Sequence, residues 1–162
     1  MQTQVQQEAF VQMALKAWNI QVERTTKLLD SLSDAQVTED IVAGKNSVLY
    51  LIGHLVAAND SMIGLFGLGE RQYAHFDEPF LKSPDKSGQT MPSVQELRAI
   101  WKKANETLSA YFAGMTADDW MSKHTAMSDE DFAKEPSRNK MSVLLNRTNH
   151  LAYHLGQMIW KK

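Results

Sequence analysis

Two histidines stand four residues apart near the carboxyl end of the sequence, at His150 and His154. On an α-helix this spacing places the side chains about 40° apart, so both imidazoles project from one strip and can converge on one point. A further histidine, His54, interrupts the apolar run of residues 48–58, which is also typical of a helix. If these two helices pack together, three neutral imidazoles offer nitrogen ligands to a divalent metal ion and leave a fourth position for water or substrate.

A ligand set of three imidazoles contains no carboxylate, so a bound divalent ion would keep most of its positive charge. That charge strengthens Lewis acidity and can bring the pKa of a bound water to about 7. Zn²⁺, Ni²⁺ and Co²⁺ all accept imidazole, and the sequence does not choose among them. We therefore predict a divalent metal centre held by His54, His150 and His154. We assign no catalytic residue, because spacing places no general base near the three histidines.

Residues close to the histidines are candidates to hold a ligand imidazole in position. Gln157 lies about 20° from the direction of His150 on a helical wheel, so we predict that it is the hydrogen-bond partner of a ligand. Asn149 and Tyr153 are also near, but helix packing and surface roles explain both more simply. His75 stands in a polar stretch and is expected to be an exposed loop histidine rather than a lid over the metal.

Each predicted metal-binding helix also carries a glycine close to a histidine. Gly53 precedes His54, and Gly156 follows His154 by two residues. A glycine inside a helix costs about 1 kcal/mol relative to alanine. We expect close approach of the two helices to be the reason for both glycines.

Histidines on helices also have a purely structural interpretation, as imidazoles satisfied by hydrogen bonds, and an HxxxH spacing alone is a weak motif. The alternative to an enzyme is a non-catalytic helical module that dimerises, with a structural or vestigial metal site. Coordination separates the two hypotheses. Three protein ligands beside an open cleft favour the enzyme, whereas four closed protein ligands favour the module.

The elements that would position these histidines are four amphipathic helices. Apolar residues recur at helical spacing from Val11 through Trp18 to Leu29, and similar patterns return three times along the chain. The sequence predicts helices over residues 4–32, 47–66, 93–113 and 141–162. Ser47 offers an N-cap to the second of them. Proline is costly inside a helix, and all four prolines fall in the two long stretches between predicted helices, at Pro79, Pro84, Pro92 and Pro136.

Helices of this number and length predict an all-α fold, a four-helix bundle formed by a single domain over residues 1–162. No segment alternates apolar and polar residues over enough positions to predict a strand. We expect the tryptophans to anchor the core or an interface, at Trp18, Trp101, Trp120 and Trp160. The acidic residues of 118–119 and 129–131 lack the pattern of a calcium loop and are expected to form a solvated face.

The composition excludes several classes of protein. The 162 residues include 17 Lys and Arg against 19 Asp and Glu, so no basic surplus is present to neutralise a nucleic acid backbone. The absence of cysteine removes disulfides, thiolate metal sites and a cysteine nucleophile. The first residues lack the apolar stretch of a secretory signal, and no run reaches the ~20 apolar residues that span a bilayer. We expect a cytoplasmic protein that binds neither nucleic acid nor membrane.

Two segments resemble the DinB-like superfamily, which is also described through its YfiT-like metal-dependent hydrolases. Residues 44–55, GKNSVLYLIGHL, are similar to the loop and second helix of that family. Residues 149–157, NHLAYHLGQ, are similar to its closing HxxxHxGQ element. The two segments lie in the order and at the separation that the family shows, and the predicted helices cover nearly the whole chain.

The resemblance implies a bundle of up-down-down-up connectivity, often dimeric, with one metal ion held by His54, His150 and His154. It also implies a small-molecule substrate and a reaction in which the metal activates a low-molecular-weight thiol or water, as in S-transferases and hydrolases. Thiol transfer is slightly preferred on this resemblance. One position departs from the family, because Leu155 stands where an arginine often follows the last histidine. The charge of that arginine is missing here, so the substrate preference of relatives does not carry over.

Overall fold

A computed structural model describes residues 2–162 of the chain as an all-helical protein. Four long helices are joined by segments that contain three short ones. The α-helices are α1 (Gln2–Ser31), α2 (Asp34–Thr38), α3 (Val48–Phe66), α4 (Val94–Ala113), α5 (Ala117–Met121), α6 (Asp129–Lys134) and α7 (Lys140–Met158). Single turns of 3₁₀ helix cover Ala74–Phe76 and Ile159–Lys161, and a π-helical turn covers Glu78–Lys82. No named strand occurs within residues 2–162.

The four long helices pack side by side around one core. Helix α1 lies against α7 and α4, and α3 lies against α4 and α7, so each helix has two neighbours. Helix α3 is the most apolar of the four. It is long and apolar enough to cross a membrane by length and composition, but 72 % of that window is buried inside the protein. Helix α3 is therefore the central helix of the core.

Contacts along α1 and α4 show that these helices run antiparallel. Arg98, near the start of α4, donates to the backbone carbonyl of Leu29 near the end of α1. Phe112, at the end of α4, packs edge-on against Trp18 in the middle of α1. Helices α3 and α7 are also antiparallel, because His54 of α3 contacts His150 of α7, whereas Ser61, later in α3, contacts Arg147, earlier in α7. The predicted all-α bundle is confirmed, and its up-down-down-up order stays a prediction that these contacts support.

The helix ends follow the side-chain chemistry expected from the sequence. The Ser47 hydroxyl accepts a hydrogen bond from the Tyr50 amide and caps α3, as predicted. Ser93 caps α4 in the same way, and the Glu96 carboxylate accepts a hydrogen bond from the Ser93 amide. Gly67 ends α3 with φ of 69°, a left-handed conformation that glycine adopts without steric cost. Each long helix near the site therefore begins or ends within one residue of its predicted boundary.

The segments between the long helices are more regular than we expected. A capping box between Ser33 and Gln36 starts α2, and Ser128 caps α6, both in stretches predicted as loop. The acidic residues of 129–131 belong to α6 but are exposed, as predicted. Pro79 lies within the π-helical turn, not in an irregular loop. It is tolerated there because it occupies the first positions of the turn, where a backbone donor is not required.

Three of the four tryptophans anchor the core, as predicted. Trp18, Trp101 and Trp120 are at most 2 % exposed. Trp160 is 79 % exposed, so it does not anchor the core, and its role at an interface stays a prediction. It lies in the 3₁₀ turn that follows α7, beyond the part of the helix that packs against its neighbours.

Candidate metal centre

The structure brings together the three histidines that the sequence singled out. Helix α3 supplies His54, and helix α7 supplies His150 and His154. The Nε2 atom of His150 lies 3.0 Å from the Nε2 atom of His54 and 3.0 Å from that of His154. All three imidazoles are half-buried, and each presents a nitrogen to the same point. A divalent ion could be held there, and the role of the three residues as ligands stays a prediction.

Hydrogen bonds at the opposite side of two rings decide which nitrogen carries the proton. The Nδ1 atom of His54 lies 2.9 Å from the backbone carbonyl oxygen of Phe80. The Nδ1 atom of His154 lies 2.7 Å from the Oε1 atom of Gln157. Both oxygens are acceptors, so each Nδ1 carries hydrogen and each Nε2 presents a lone pair to the centre of the triad. This is the tautomer that a metal-binding imidazole requires when it binds through Nε2.

The arrangement of the three Nε2 atoms fits a cation. One hydrogen on the Nε2 atom of His150 can point at only one of its two neighbours, so at least one 3.0 Å contact joins two lone pairs. A positive ion between the nitrogens removes that conflict. In a tetrahedral zinc site with metal–nitrogen distances of about 2.0–2.1 Å, ligand nitrogens lie about 3.3 Å apart. The donor atoms therefore have the chemistry and nearly the spacing of a three-histidine metal site.

The surroundings of the triad favour neutral imidazoles. The pKa of His150 is lowered from 6.5 to about 4, first by burial and then by the nearby His154, His54 and Arg147. The pKa of His154 is also lowered, first by burial and then by His54, against the opposing effect of its bond to Gln157. Because a metal ligand must be unprotonated, these shifts keep the nitrogens ready for a metal at neutral pH.

The prediction that both glycines allow two helices to approach is wrong. At Gly53 an added Cβ atom would overlap the ring of Phe80, which belongs to the π-helical turn and not to another helix. The same residue, Phe80, supplies the carbonyl that binds His54. At Gly156 an added Cβ atom would meet nothing within 4 Å. Gly53 therefore makes room for the turn that orients a histidine, and packing gives no reason for Gly156.

An ion-pair network fastens the turn that carries Phe80 to helix α3. Asp60, only 2 % exposed, accepts hydrogen bonds from the backbone amides of Gln72 and Tyr73. The Arg71 guanidinium bridges Asp60, at 3.2 Å, and Asp77, at 2.6 Å. The hydrogen bond from Arg71 lowers the pKa of Asp77. The segment that precedes Phe80 is thus tied to α3 close to the histidines.

Other residues considered in the sequence lie outside the triad. His75 is exposed and packs against Tyr73 and Phe76, as expected of a surface histidine. Asn149 is exposed. Tyr153 is 64 % exposed, and its hydroxyl accepts a hydrogen bond from the Nε2 atom of Gln157 at 3.3 Å. That bond fixes the Gln157 amide with its oxygen toward His154.

Sequence reasoning missed two groups beside the triad. The carbonyl of Phe80 could not be identified, because a backbone group has no signature of its own. Gly53 beside His54 was the available signal that something packs closely there. The second group is Arg147, which stands three residues before His150 and therefore on nearly the same strip of α7.

A groove of about 530 Å³ opens beside Gln157. Its walls are mainly apolar or aromatic, with the loop before α3 at one side. The lining residues include Ile41, Val42, Lys45, Leu51, Tyr153 and Trp160. Gln157 lines the groove and also binds His154, so the groove and the triad share a wall.

Comparison with known protein families decides the relationship of the chain. The profile of the DinB superfamily matches residues 17–158, which include all three histidines and Gln157. The chain belongs to the DinB superfamily. The resemblance seen in the sequence is thereby confirmed. DinB proteins generally bind a metal, in keeping with the histidine triad of this member.

A solved structure shows the same fold in another protein. This DinB chain is similar to a structure described as the conserved protein of a locus from Enterococcus faecalis, with a TM-score of 0.63 and 15 % sequence identity. The similarity covers 93 % of each chain. No curated protein matches the chain at a significant level.

Proposed function

We propose that this DinB protein is a metal-dependent enzyme whose divalent ion, of the Zn²⁺, Ni²⁺ or Co²⁺ type, is held by His54, His150 and His154. The observation that carries the proposal is the convergence of three Nε2 atoms, with 3.0 Å between His150 and each of the other two. A divalent ion there would supply Lewis acidity and lower the pKa of a small thiol or a water at its open position.

The residues of the chain have three tasks in this proposal. The three imidazoles hold the ion. The Phe80 carbonyl and the Gln157 side chain fix the orientation and tautomer of His54 and His154 before any ligand arrives. The apolar groove beside Gln157 accepts the body of an uncharged electrophile and shields it from water.

Thiol transfer is the reaction we favour, on the resemblance to relatives that use low-molecular-weight thiols. The thiolate sulfur attacks an electrophilic carbon, a carbon–sulfur bond forms, and the leaving group departs with its electron pair while the thiol proton goes to solvent. Hydrolysis is the alternative reaction at the same site. The mainly apolar lining of the groove suits a substrate with a hydrophobic electrophilic group in either case.

The number of protein ligands supports an enzyme over a structural metal site. Among residues 2–162, the cluster that could hold an ion consists of three histidines without a carboxylate. A structural zinc site normally has four protein ligands, whereas a catalytic one keeps a position open. The half-buried state of all three histidines also leaves that position within reach of solvent.

Metal content tests the first half of the proposal. We expect untagged protein, dialysed against Zn²⁺ and then against buffer, to retain about one ion per chain by atomic spectrometry. His150→Ala should lose the ion, because the two remaining imidazoles, of His54 and His154, bind it too weakly to retain it during dialysis. His75→Ala is the matched control, since it removes an exposed histidine outside the triad. Equal metal content in all three proteins would contradict the site.

Turnover tests the second half. The metal-loaded protein is assayed for conjugation of cysteine to 1-chloro-2,4-dinitrobenzene and for hydrolysis of 4-nitrophenyl acetate, with and without chelator. We expect conjugation above the uncatalysed rate that chelator abolishes, that His150→Ala lacks and that His75→Ala keeps. Turnover that survives in His150→Ala would end the proposal of a metal enzyme.

A further inference from the structure

Arg147 is a half-buried cation beside the triad. It lies on α7 one turn before His150, on the strip that faces α3, and its Nη2 atom lies 3.5 Å from the Ser61 hydroxyl of α3. Within the described chain, no carboxylate lies within ion-pair distance of its guanidinium. Arg147 therefore holds a positive charge without a counterion.

Two buried nitrogen atoms in this region also lack hydrogen-bond partners among the described residues. They are the Nε atom of Arg147 and the Nδ1 atom of His150. If His150 binds a metal through Nε2, its Nδ1 atom carries hydrogen and needs an acceptor. A buried donor without a partner costs about 1–3 kcal/mol, and more when it is charged. The 3.5 Å contact with Ser61 is at the long limit of a hydrogen bond and satisfies little of this requirement.

The balance of charge points in the same direction. Three neutral imidazoles leave the charge of a divalent ion uncompensated, and Arg147 adds another positive charge one helical turn away. The cluster of potential metal ligands contains no Asp or Glu among the described residues. A site with this balance attracts anions, and a guanidinium with free donors binds a carboxylate through charge-assisted hydrogen bonds.

We propose that Arg147 and Ser61 form an anion subsite beside the metal, so that the thiol or substrate used by this enzyme carries a carboxylate or similar anionic group. The inference rests on the proposed function, because it places the subsite next to an open metal position. It names a ligand with two features, a metal-binding end and an anionic end a few bonds away. The side chains of residues three apart on a helix start about 5–6 Å from each other, which sets the scale of the separation between the two ends.

Two thiols of the same shape test the subsite. The protein is loaded with Co²⁺ and titrated with 3-mercaptopropionate and with 3-mercaptopropionamide, and the thiolate-to-cobalt absorption band reports binding of each. We expect wild type to prefer the carboxylate, and Arg147→Gln to reduce the ratio of the two affinities at least tenfold. Arg147→Lys should keep part of the preference, because it keeps the charge without the forked donors.

Control measurements distinguish loss of anion binding at the subsite from loss of the metal and from unfolding. Arg138→Gln removes an exposed arginine just before α7 and should keep the wild-type ratio. The amide thiol should bind wild type and Arg147→Gln with equal affinity, which shows that the variant is folded and loaded. An unchanged ratio in Arg147→Gln overturns the subsite and leaves the metal enzyme standing.

Two further outcomes distinguish the anion subsite from the proposed reaction. A preference that depends on Arg147 in a protein without turnover supports the subsite and overturns the proposed reaction. Absence of a thiolate band with either thiol in cobalt-loaded protein overturns both, because no open position for a thiol then exists.

Discussion

Single hydrogen bonds at the far side of the rings decide what the triad presents to its centre. The hydrogen bond from the Nδ1 atom of His154 to Gln157 measures 2.7 Å. It leaves the Nε2 atom of His154 without a hydrogen, so that atom presents a lone pair. The sequence predicted that Gln157 binds a ligand histidine, because its direction on the helix is close to that of His150. In the structure its partner is His154, which lies one turn before Gln157. Gln157 is in turn held by Tyr153. The orientation of His154, a predicted ligand, therefore depends on Gln157 and, through it, on Tyr153.

We predict that Gln157→Ala weakens metal binding without unfolding the protein. Loss of a hydrogen-bond partner of a ligand histidine typically lowers metal affinity 10–100-fold. Competition with a chromophoric chelator measures the affinity for Zn²⁺ at pH 7.5. Asn149→Ala, an exposed amide on the same helix, is the matched control and should bind as wild type does. Equal affinities in Gln157→Ala and wild type would show that the bond does not orient His154.

The sequence predicted those site residues that follow one another at helical spacing. His150, His154 and Gln157 share one helix, so their spacing alone placed them close together. His54 required the packing of a second helix, and the resemblance to the family supplied that expectation. The bond of the Phe80 carbonyl to His54 and the lack of a partner for the Nε atom of Arg147 depend on tertiary contacts, which the spacing of residues in the sequence does not predict.

The π-helical turn Glu78–Lys82 matters at the scale of the element because it seats Phe80 against α3. Phe80 is fully buried, and its ring occupies the space that a side chain at position 53 would need. The carbonyl of the same residue binds His54. A change at Gly53 therefore moves the turn and disturbs the triad together.

We predict that Gly53→Ala destabilises the protein by about 1–3 kcal/mol, the usual cost of overpacking a core. The free energy of unfolding is measured by urea titration in the presence of chelator. The displaced Phe80 carbonyl should also lower the affinity for Zn²⁺, because His54 loses the acceptor that fixes its tautomer.

Gly156→Ala is the matched control for Gly53→Ala, since both glycines lie inside helices beside a histidine. An added Cβ atom at position 156 meets nothing within 4 Å, so this variant should gain about 0.5–1 kcal/mol from helix propensity. Equal effects of the two substitutions would mean that Phe80 does not need the space at Gly53.

Elements with strong periodicity or caps were predictable, and short ones were not. Ser47 and Ser93 marked the starts of α3 and α4 correctly because their hydroxyls cap those helices. Helices α2 and α6 are too short to show an apolar period. Their N-cap residues, Ser33 and Ser128, were the only signal in the sequence, and both stretches were predicted as loop. The π-helical turn contains a proline and lies in a polar stretch, which favoured a loop interpretation.

At the scale of the whole molecule, the triad joins two helices that are distant in the sequence. His54 lies 96 residues from His150, and their Nε2 atoms are 3.0 Å apart. A bound ion would link α3 to α7 and would stabilise the folded state, since the unfolded chain lacks the site. Which helices become neighbours was inferred from the family resemblance, because amphipathic periodicity identifies a buried face but not its partner. The homodimer and the cytoplasmic location stay predictions.

Without a metal, the triad makes stability depend on pH. The folded protein keeps His150 neutral down to a pKa of about 4, whereas the same histidine in the unfolded chain binds a proton near 6.5. Between these values the unfolded state holds more protons, so the free energy of unfolding decreases as pH falls. The lowered pKa of His154 acts in the same direction.

We predict that chelator-treated protein loses stability between pH 7 and pH 5, and that His150→Gln loses less over the same interval because one of the responsible imidazoles is gone. The urea midpoint at each pH measures this, with His75→Gln as the exposed control that keeps the wild-type dependence. The interval lies above the range in which carboxylates such as Asp77, whose pKa is lowered, begin to titrate. A wild-type midpoint that stays constant from pH 7 to pH 5 in chelator would show that the triad is not held neutral by burial. Saturating Zn²⁺ should raise the midpoint at pH 7 and lose that effect toward low pH, because protons then compete with the ion for the same three nitrogens.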